Sequence, residues 1–232
     1  MEWFVPRFGP EWFRVSVGLL FLPYTGMVLA YTVIGSMMAP AIHWDRVVAI
    51  VVIYFFGLGI AAHALDAIGG GSAKPWGEVF SKRQLWILAA GALVAAYGIG
   101  VYYIVRYAPL LLVIAIAEGF FVFAYNLELF ERRFHTDAWF AISWGALPVL
   151  AGYILQTNDV SAAVLIAAAS MAFLSLVEIK ASRPYKELKR RGDGAVAVDA
   201  HELTIRLELI LKFISFGVIL IAVSLLVWRW TG

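Results

Sequence analysis

Long runs of apolar residues alternate with short polar segments along most of the chain. A run of about 20 apolar residues is the length that an α-helix needs to cross a hydrocarbon core of roughly 30 Å. Lipid cannot satisfy backbone polar groups, and continuous rather than alternating runs exclude barrel strands. The pattern therefore predicts an all-α, polytopic transmembrane bundle of about seven helices. We place the spans at roughly 14–38, 46–68, 84–105, 107–128, 138–156, 160–179 and 208–230.

The composition agrees with a membrane location. Of 232 residues, 62% are hydrophobic and only 15% are charged, whereas soluble domains are about half apolar and a quarter charged. The length predicts one domain, 1–232. The chain has no cysteine, which excludes disulfides, thiolate metal sites and cysteine nucleophiles. A net charge of +2 is too small to indicate a nucleic-acid partner.

The basic residues predict an orientation. If the N-terminus is cytoplasmic, only Arg46, Arg106 and Arg229 of the 18 lysines and arginines fall outside. This bias predicts a cytoplasmic N-terminus and an external C-terminus, in the plasma or inner membrane of a cell. Segment 1–13 mixes aromatic and charged residues, which is typical of an interfacial segment. Residues 180–207 are predicted to form a basic cytoplasmic loop.

Ionisable residues inside predicted spans are candidates for function because their burial is costly. His63 and Asp66 are three residues apart and share a helix face near the inner end of the second span. His63 could instead be a packing residue, and Asp66 could be solvated at the interface. Glu118 lies near the middle of the fourth span, where it needs protonation or a partner, and the sequence leaves its role open.

Further acidic and basic residues fall at the predicted inner ends. Glu128 follows the fourth span and stands close to a pair of arginines, so it could belong to a solvated charge cluster. Glu178 closes the sixth span. Four basic residues could bind a phosphate, a diphosphate or an anionic headgroup, or could simply set the topology. They are Lys74, Lys180, Arg183 and Lys186.

Two stretches of the chain carry a family resemblance. The first runs from Gly57 to Asp66 and continues through Lys74-Pro75 to a polar stretch before the third span. The second runs from Tyr125-Asn126 to Trp144-Gly-Ala-Leu-Pro-Val-Leu-Ala-Gly-Tyr153. Together they resemble the UbiA-type membrane prenyltransferase superfamily.

The resemblance implies a bundle around a cytoplasm-facing cavity, where two aspartate-rich motifs hold Mg²⁺ against an isoprenyl diphosphate. In an active enzyme, Asp66, Glu178 and Glu128 would supply the metal ligands, and the four basic residues above would bind the substrate. This chain departs from the pattern at Ala62 and His63 in the first motif. It departs again in the second motif, where Ala181 and Tyr185 occupy the expected aspartate positions.

Several functions therefore stay open. The loss of carboxylates favours a non-catalytic relative that binds a membrane lipid or isoprenoid, or that serves as a subunit of a membrane complex. The alternatives are a divergent Mg²⁺-dependent prenyltransferase and a small transporter with Glu118 as its coupling residue. A retinal protein is disfavoured by the predicted orientation and by the lack of a lysine between Phe213 and Trp228 in the last span.

Overall fold

The protein is an all-helical bundle. A computed structural model describes residues 2–69, 79–191 and 198–232, and every regular element within these ranges is a helix. The helices are α1 (Glu11–Leu20), α2 (Leu22–Met37), α3 (Trp44–Gly69), α4 (Lys82–Arg106), α5 (Leu111–Asn126), α6 (Asp137–Thr157), α7 (Ala162–Arg191) and α8 (Val198–Thr231).

The length and apolar composition of the helices indicate an integral membrane protein. Within the described ranges, five helices are long and apolar enough to cross a bilayer, namely α3, α4, α6, α7 and α8. Helices α1 and α2 pass the same test as a pair bent by 40°, which gives a sixth candidate. Helix α5 has 16 residues and is shorter than a typical span. A helix therefore lies at the position of each predicted span.

The bend in the first span has a local cause. Phe21 ends α1 in the left-handed region, with φ of 45°, and Pro23 lies in the first turn of α2. A proline there loses no helical hydrogen bond because the first N–H groups of a helix have no partner anyway. In α6, Pro148 follows π-helical turns at Ile142–Ala146, and α3 has a similar stretch at Phe55–Ala62.

The segment 180–207 corrects one prediction. Its described residues are helical: α7 continues to Arg191, and α8 begins at Val198. The helices extend because apolar side chains continue beyond the predicted spans. Ala181, Tyr185 and Leu211 form a small buried cluster against which Trp3 packs. The same contact brings part of the N-terminal segment 1–13 onto the bundle.

Helix α2 lies at the centre and contacts α6 and α8. A Cβ on Gly35 would collide with the backbone of Val149, and one on Gly152 would collide with the carbonyl oxygen of Thr32. The α2 and α6 backbones therefore touch directly, as small residues allow in membrane helices. On another side of α2, Ser215 of α8 lies against Met27.

The two ends of the bundle differ in charge. At one end α3 and α5 terminate, α4 and α6 begin, and most of the basic residues lie; we call this the basic end. At the opposite end, the Arg46 guanidinium donates to the carbonyl oxygens of Leu155 and Gln156 at 3.3 and 3.0 Å. These carbonyls belong to the last turn of α6, where the carbonyl oxygens have no helical N–H group to accept from.

Candidate functional site

Several of the predicted site residues meet at the basic end around Tyr125 of α5. The Arg183 side chain hydrogen-bonds this tyrosine, and Asp66 and Glu178 lie near it. The fold thus brings together α3, α5 and α7 at the place where the sequence predicts an inner cavity mouth. Tyr125 itself is buried and packs against Phe140 and Trp144.

The predicted anion-binding residues have partners within the protein. Lys180 and Arg183 of α7 both pair with Asp137 of α6, at 2.6 and 2.9 Å. The Lys186 ammonium lies 4.4 Å from the ring centroid of Phe21 and 5.3 Å from that of Tyr24. The aromatic faces stabilise this cation. Lys74 lies outside the described residues.

Glu178 is one of the most buried ionisable side chains, at 2% exposure. Tyr24 and Lys186 lie beside its carboxyl group, and Tyr24 also hydrogen-bonds Ser182. The Oε1 atom of Glu178 has no hydrogen-bond partner. The adjoining cavity has a volume of only about 10 Å³, enough for a single water. Glu2 forms part of its wall.

The three predicted metal ligands lie at the basic end. Glu128 pairs with Arg132 at 3.3 Å and lies 3.9 Å from His135. The His135 ring stacks on Tyr125 with centroids 4.4 Å apart, and Asp66 and Glu178 also lie near Tyr125. Among residues 2–69, 79–191 and 198–232, no group of three His, Asp or Glu side chains could hold a metal ion. His63 lies with its Nε2 atom 3.4 Å from the Thr25 hydroxyl, in contact with α2.

A second candidate site lies between α3, α4 and α5. It is an almost wholly apolar cleft with a cavity volume of about 70 Å³. Gly57 and Gly100 lie in its wall, and at neither position would a Cβ meet an atom closer than 4.0 Å. The glycines therefore leave volume here that larger side chains would fill.

Glu118 is the acidic residue in this cleft. The Tyr54 hydroxyl donates to Glu118 Oε1 at 2.8 Å, and Glu118 Oε2 is buried with no hydrogen-bond partner. Across the cleft, the Tyr97 hydroxyl donates to the carbonyl oxygen of Ala115 at 2.8 Å. A side chain at position 119 would collide with the Tyr97 hydroxyl, and Gly119 avoids this collision.

Sequence reasoning identified Glu118 but missed both tyrosines. Tyr54 is 64 residues from Glu118, and a tyrosine in an apolar run looks like ordinary packing. The weak signal was the glycines of the second, third and fourth spans, since glycine lowers helix stability unless a close approach or an open space requires it.

No protein-family model, curated protein or solved structure matches this chain. Its function is therefore inferred from its own side chains and from the motifs described above. The two candidate sites differ in the kind of molecule that each suits, since one is charged and filled and the other is apolar and open.

Proposed function

We propose that the chain is a non-catalytic, UbiA-like integral membrane protein that binds an isoprenoid lipid, either alone or as a subunit of a membrane complex. The isoprenoid tail occupies the cleft between α3, α4 and α5, and the basic end faces the cytoplasm with the N-terminus. The observation that carries this proposal is the apolar cleft itself, which lies along three membrane-embedded helices.

The lining of the cleft supports a hydrocarbon occupant. Ligand sites are concave, mostly apolar and contain few polar groups. Leu93, Ile114 and Val122 face the cleft from α4 and α5, so a branched hydrocarbon chain finds matching surface along it. The resemblance of the motifs to the UbiA superfamily makes an isoprenoid the favoured chain.

The residues at the basic end support the non-catalytic part of the proposal. Ionising an allylic diphosphate requires neutralisation of several negative charges, which metal ions held by carboxylates supply. Here Lys180 and Arg183 already pair with Asp137. Ala181 and Tyr185 stand where the resemblance leads us to expect aspartates.

Native mass spectrometry of the purified protein with phytanol, a saturated C20 isoprenoid alcohol, tests the lipid site. We expect one bound phytanol on the wild type and loss of binding by at least about tenfold in Gly57→Phe, because the ring fills the cleft. Gly98→Phe is the matched control, since Gly98 also meets nothing within 4 Å but lies outside the cleft. Equal binding by both variants would place the lipid elsewhere.

An enzyme assay tests the non-catalytic part of the proposal. Wild-type protein incubated with geranylgeranyl diphosphate and Mg²⁺ should release no diphosphate above a protein-free control. Mg²⁺-dependent release that Asp66→Ala abolishes would instead establish the divergent prenyltransferase.

The orientation is testable because the chain contains no cysteine. Ala41→Cys places an exposed thiol at the opposite end, and Arg133→Cys places one at the basic end. A membrane-impermeant maleimide added to intact cells should label Ala41→Cys only. Labelling of Arg133→Cys alone would reverse the proposed orientation.

A further inference from the structure

Glu118 lies deep in the membrane-embedded part of the cleft. It is the eighth residue of α5, so its Cα lies about 10 Å along the helix axis from the first residue. A helix of 16 residues is about 24 Å long, which places Glu118 close to its middle. A polar group at this depth is expensive unless something satisfies it, and such groups are functional candidates by default.

The protein satisfies only half of this carboxyl group. Oε1 accepts the Tyr54 hydroxyl at 2.8 Å, while Oε2 is buried without a partner. The O–H of Tyr97, the other hydroxyl of the cleft, already donates to the Ala115 carbonyl oxygen. No lysine, arginine or histidine lies among the described residues that form the cleft. Among the described residues that line the cleft, the buried side-chain atom without a hydrogen-bond partner is Glu118 Oε2.

The chemistry of that position selects the ligand. An unsatisfied buried polar atom is destabilising, so a ligand that pairs with it binds more tightly than one that does not. A charged headgroup at this depth would lose far more in desolvation. A hydroxyl group is uncharged and can both donate and accept a hydrogen bond, so it can pair with Oε2 whether or not the carboxyl carries a proton.

We infer that Glu118, held in place by Tyr54, recognises the hydroxyl group of an uncharged lipid alcohol whose hydrocarbon chain occupies the cleft. This inference rests on the proposed function, because it assumes that a lipid enters the cleft. It adds the part of the ligand that the protein recognises: a neutral alcohol, held at mid-membrane depth and remote from the charges of the basic end.

A competition between phytanol and phytane, which is the same chain without the hydroxyl, tests the inference by native mass spectrometry. We expect the wild type to prefer phytanol by about five- to tenfold, the discrimination that one neutral hydrogen bond provides. Glu118→Leu should bind phytane as before and lose the preference. Glu118→Gln, whose amide can still pair with a hydroxyl, should keep at least half of it.

The outcomes separate this inference from the proposed function. A preference for phytanol that persists in Glu118→Leu, or phytane bound as well as phytanol by the wild type, overturns the role of Glu118 and leaves the lipid site standing. Failure of the wild type to bind either molecule overturns both. The ratio in each variant is compared with that in Gly98→Phe in the same ligand mixture, which removes differences in how the ligands partition into detergent. Thermal unfolding of each variant confirms that it is folded.

Discussion

Two contacts in this bundle use glycine for opposite purposes. Between α2 and α6, Gly35 and Gly152 allow the two backbones to touch, so that even a methyl group would collide with backbone atoms. Between α3, α4 and α5, Gly57 and Gly100 face open space. Glycine therefore allows close packing between α2 and α6 but leaves space between α3, α4 and α5. Only the second arrangement leaves room for a ligand.

Gly35→Ala should show the largest effect on stability. The added Cβ meets the carbonyl group of Val149, which is backbone and cannot rotate away, so α2 and α6 must separate. Overpacking of this kind costs about 1–3 kcal/mol, and we expect the upper part of that range. Thermal unfolding in detergent, with Gly217→Ala on α8 as the control in open space, measures it. A variant as stable as the wild type would mean that α2 and α6 are not in direct contact.

At the opposite end, α6 contacts the start of α3 through Gln156, which is 4% exposed. Its side chain accepts from the His43 N–H at 2.8 Å and donates to the His43 carbonyl oxygen at 3.2 Å. Gln156→Leu leaves the His43 N–H unpaired, whereas the His43 carbonyl oxygen still accepts from the N–H groups of Arg46 and Val47. The variant should destabilise the protein by about 1–2 kcal/mol. Gln156→Glu keeps the acceptor and should lose less. Equal melting temperatures for these two variants would contradict this account.

Gly100→Ala should change stability in the other direction. Its Cβ would meet only the Ile53 side chain, at 4.0 Å, while alanine is favoured over glycine in a helix by about 1 kcal/mol. We expect a gain of about 0.5–1 kcal/mol in the thermal unfolding assay used for Gly35→Ala. A loss comparable to that of Gly35→Ala would show that the cleft is closed at this point and would remove the comparison.

The sequence predicted the helices well because hydrophobic run length is a local property. It could not predict which glycines touch a neighbouring helix and which face a void, because that depends on how helices far apart in the chain pack. For the same reason, the sequence could not identify Tyr54 as the partner of Glu118. The sequence could say that a mid-span acid needs a partner, but not which of the many aromatic residues would reach it.

The error over 180–207 has a different origin. A high density of basic residues favours the prediction of a loop, yet α7 continues to Arg191. Long basic side chains are compatible with a helix that leaves the membrane, because they extend their charged ends to water while their stems cover apolar surface. At the basic end, the sequence identified the charged residues but not Asp137, which pairs with two of them.

That pairing gives the smallest effect on stability and a sharp test of how the two sites differ. Lys180 and Arg183 are 70% and 44% exposed in their pairs with Asp137, so Asp137→Asn should cost only about 0.5 kcal/mol. The same change removes the carboxylate that pairs with these two cations. It should tighten binding of geranylgeranyl diphosphate several-fold, as measured by native mass spectrometry. Glu131→Gln, which removes an exposed acid from the preceding loop, should have no such effect.

Unchanged binding in Asp137→Asn would mean that these ion pairs do not keep anions from the basic end, and that the two sites differ for another reason. An increase in diphosphate binding with phytanol binding unchanged would show that the cleft and the basic end recognise their ligands independently.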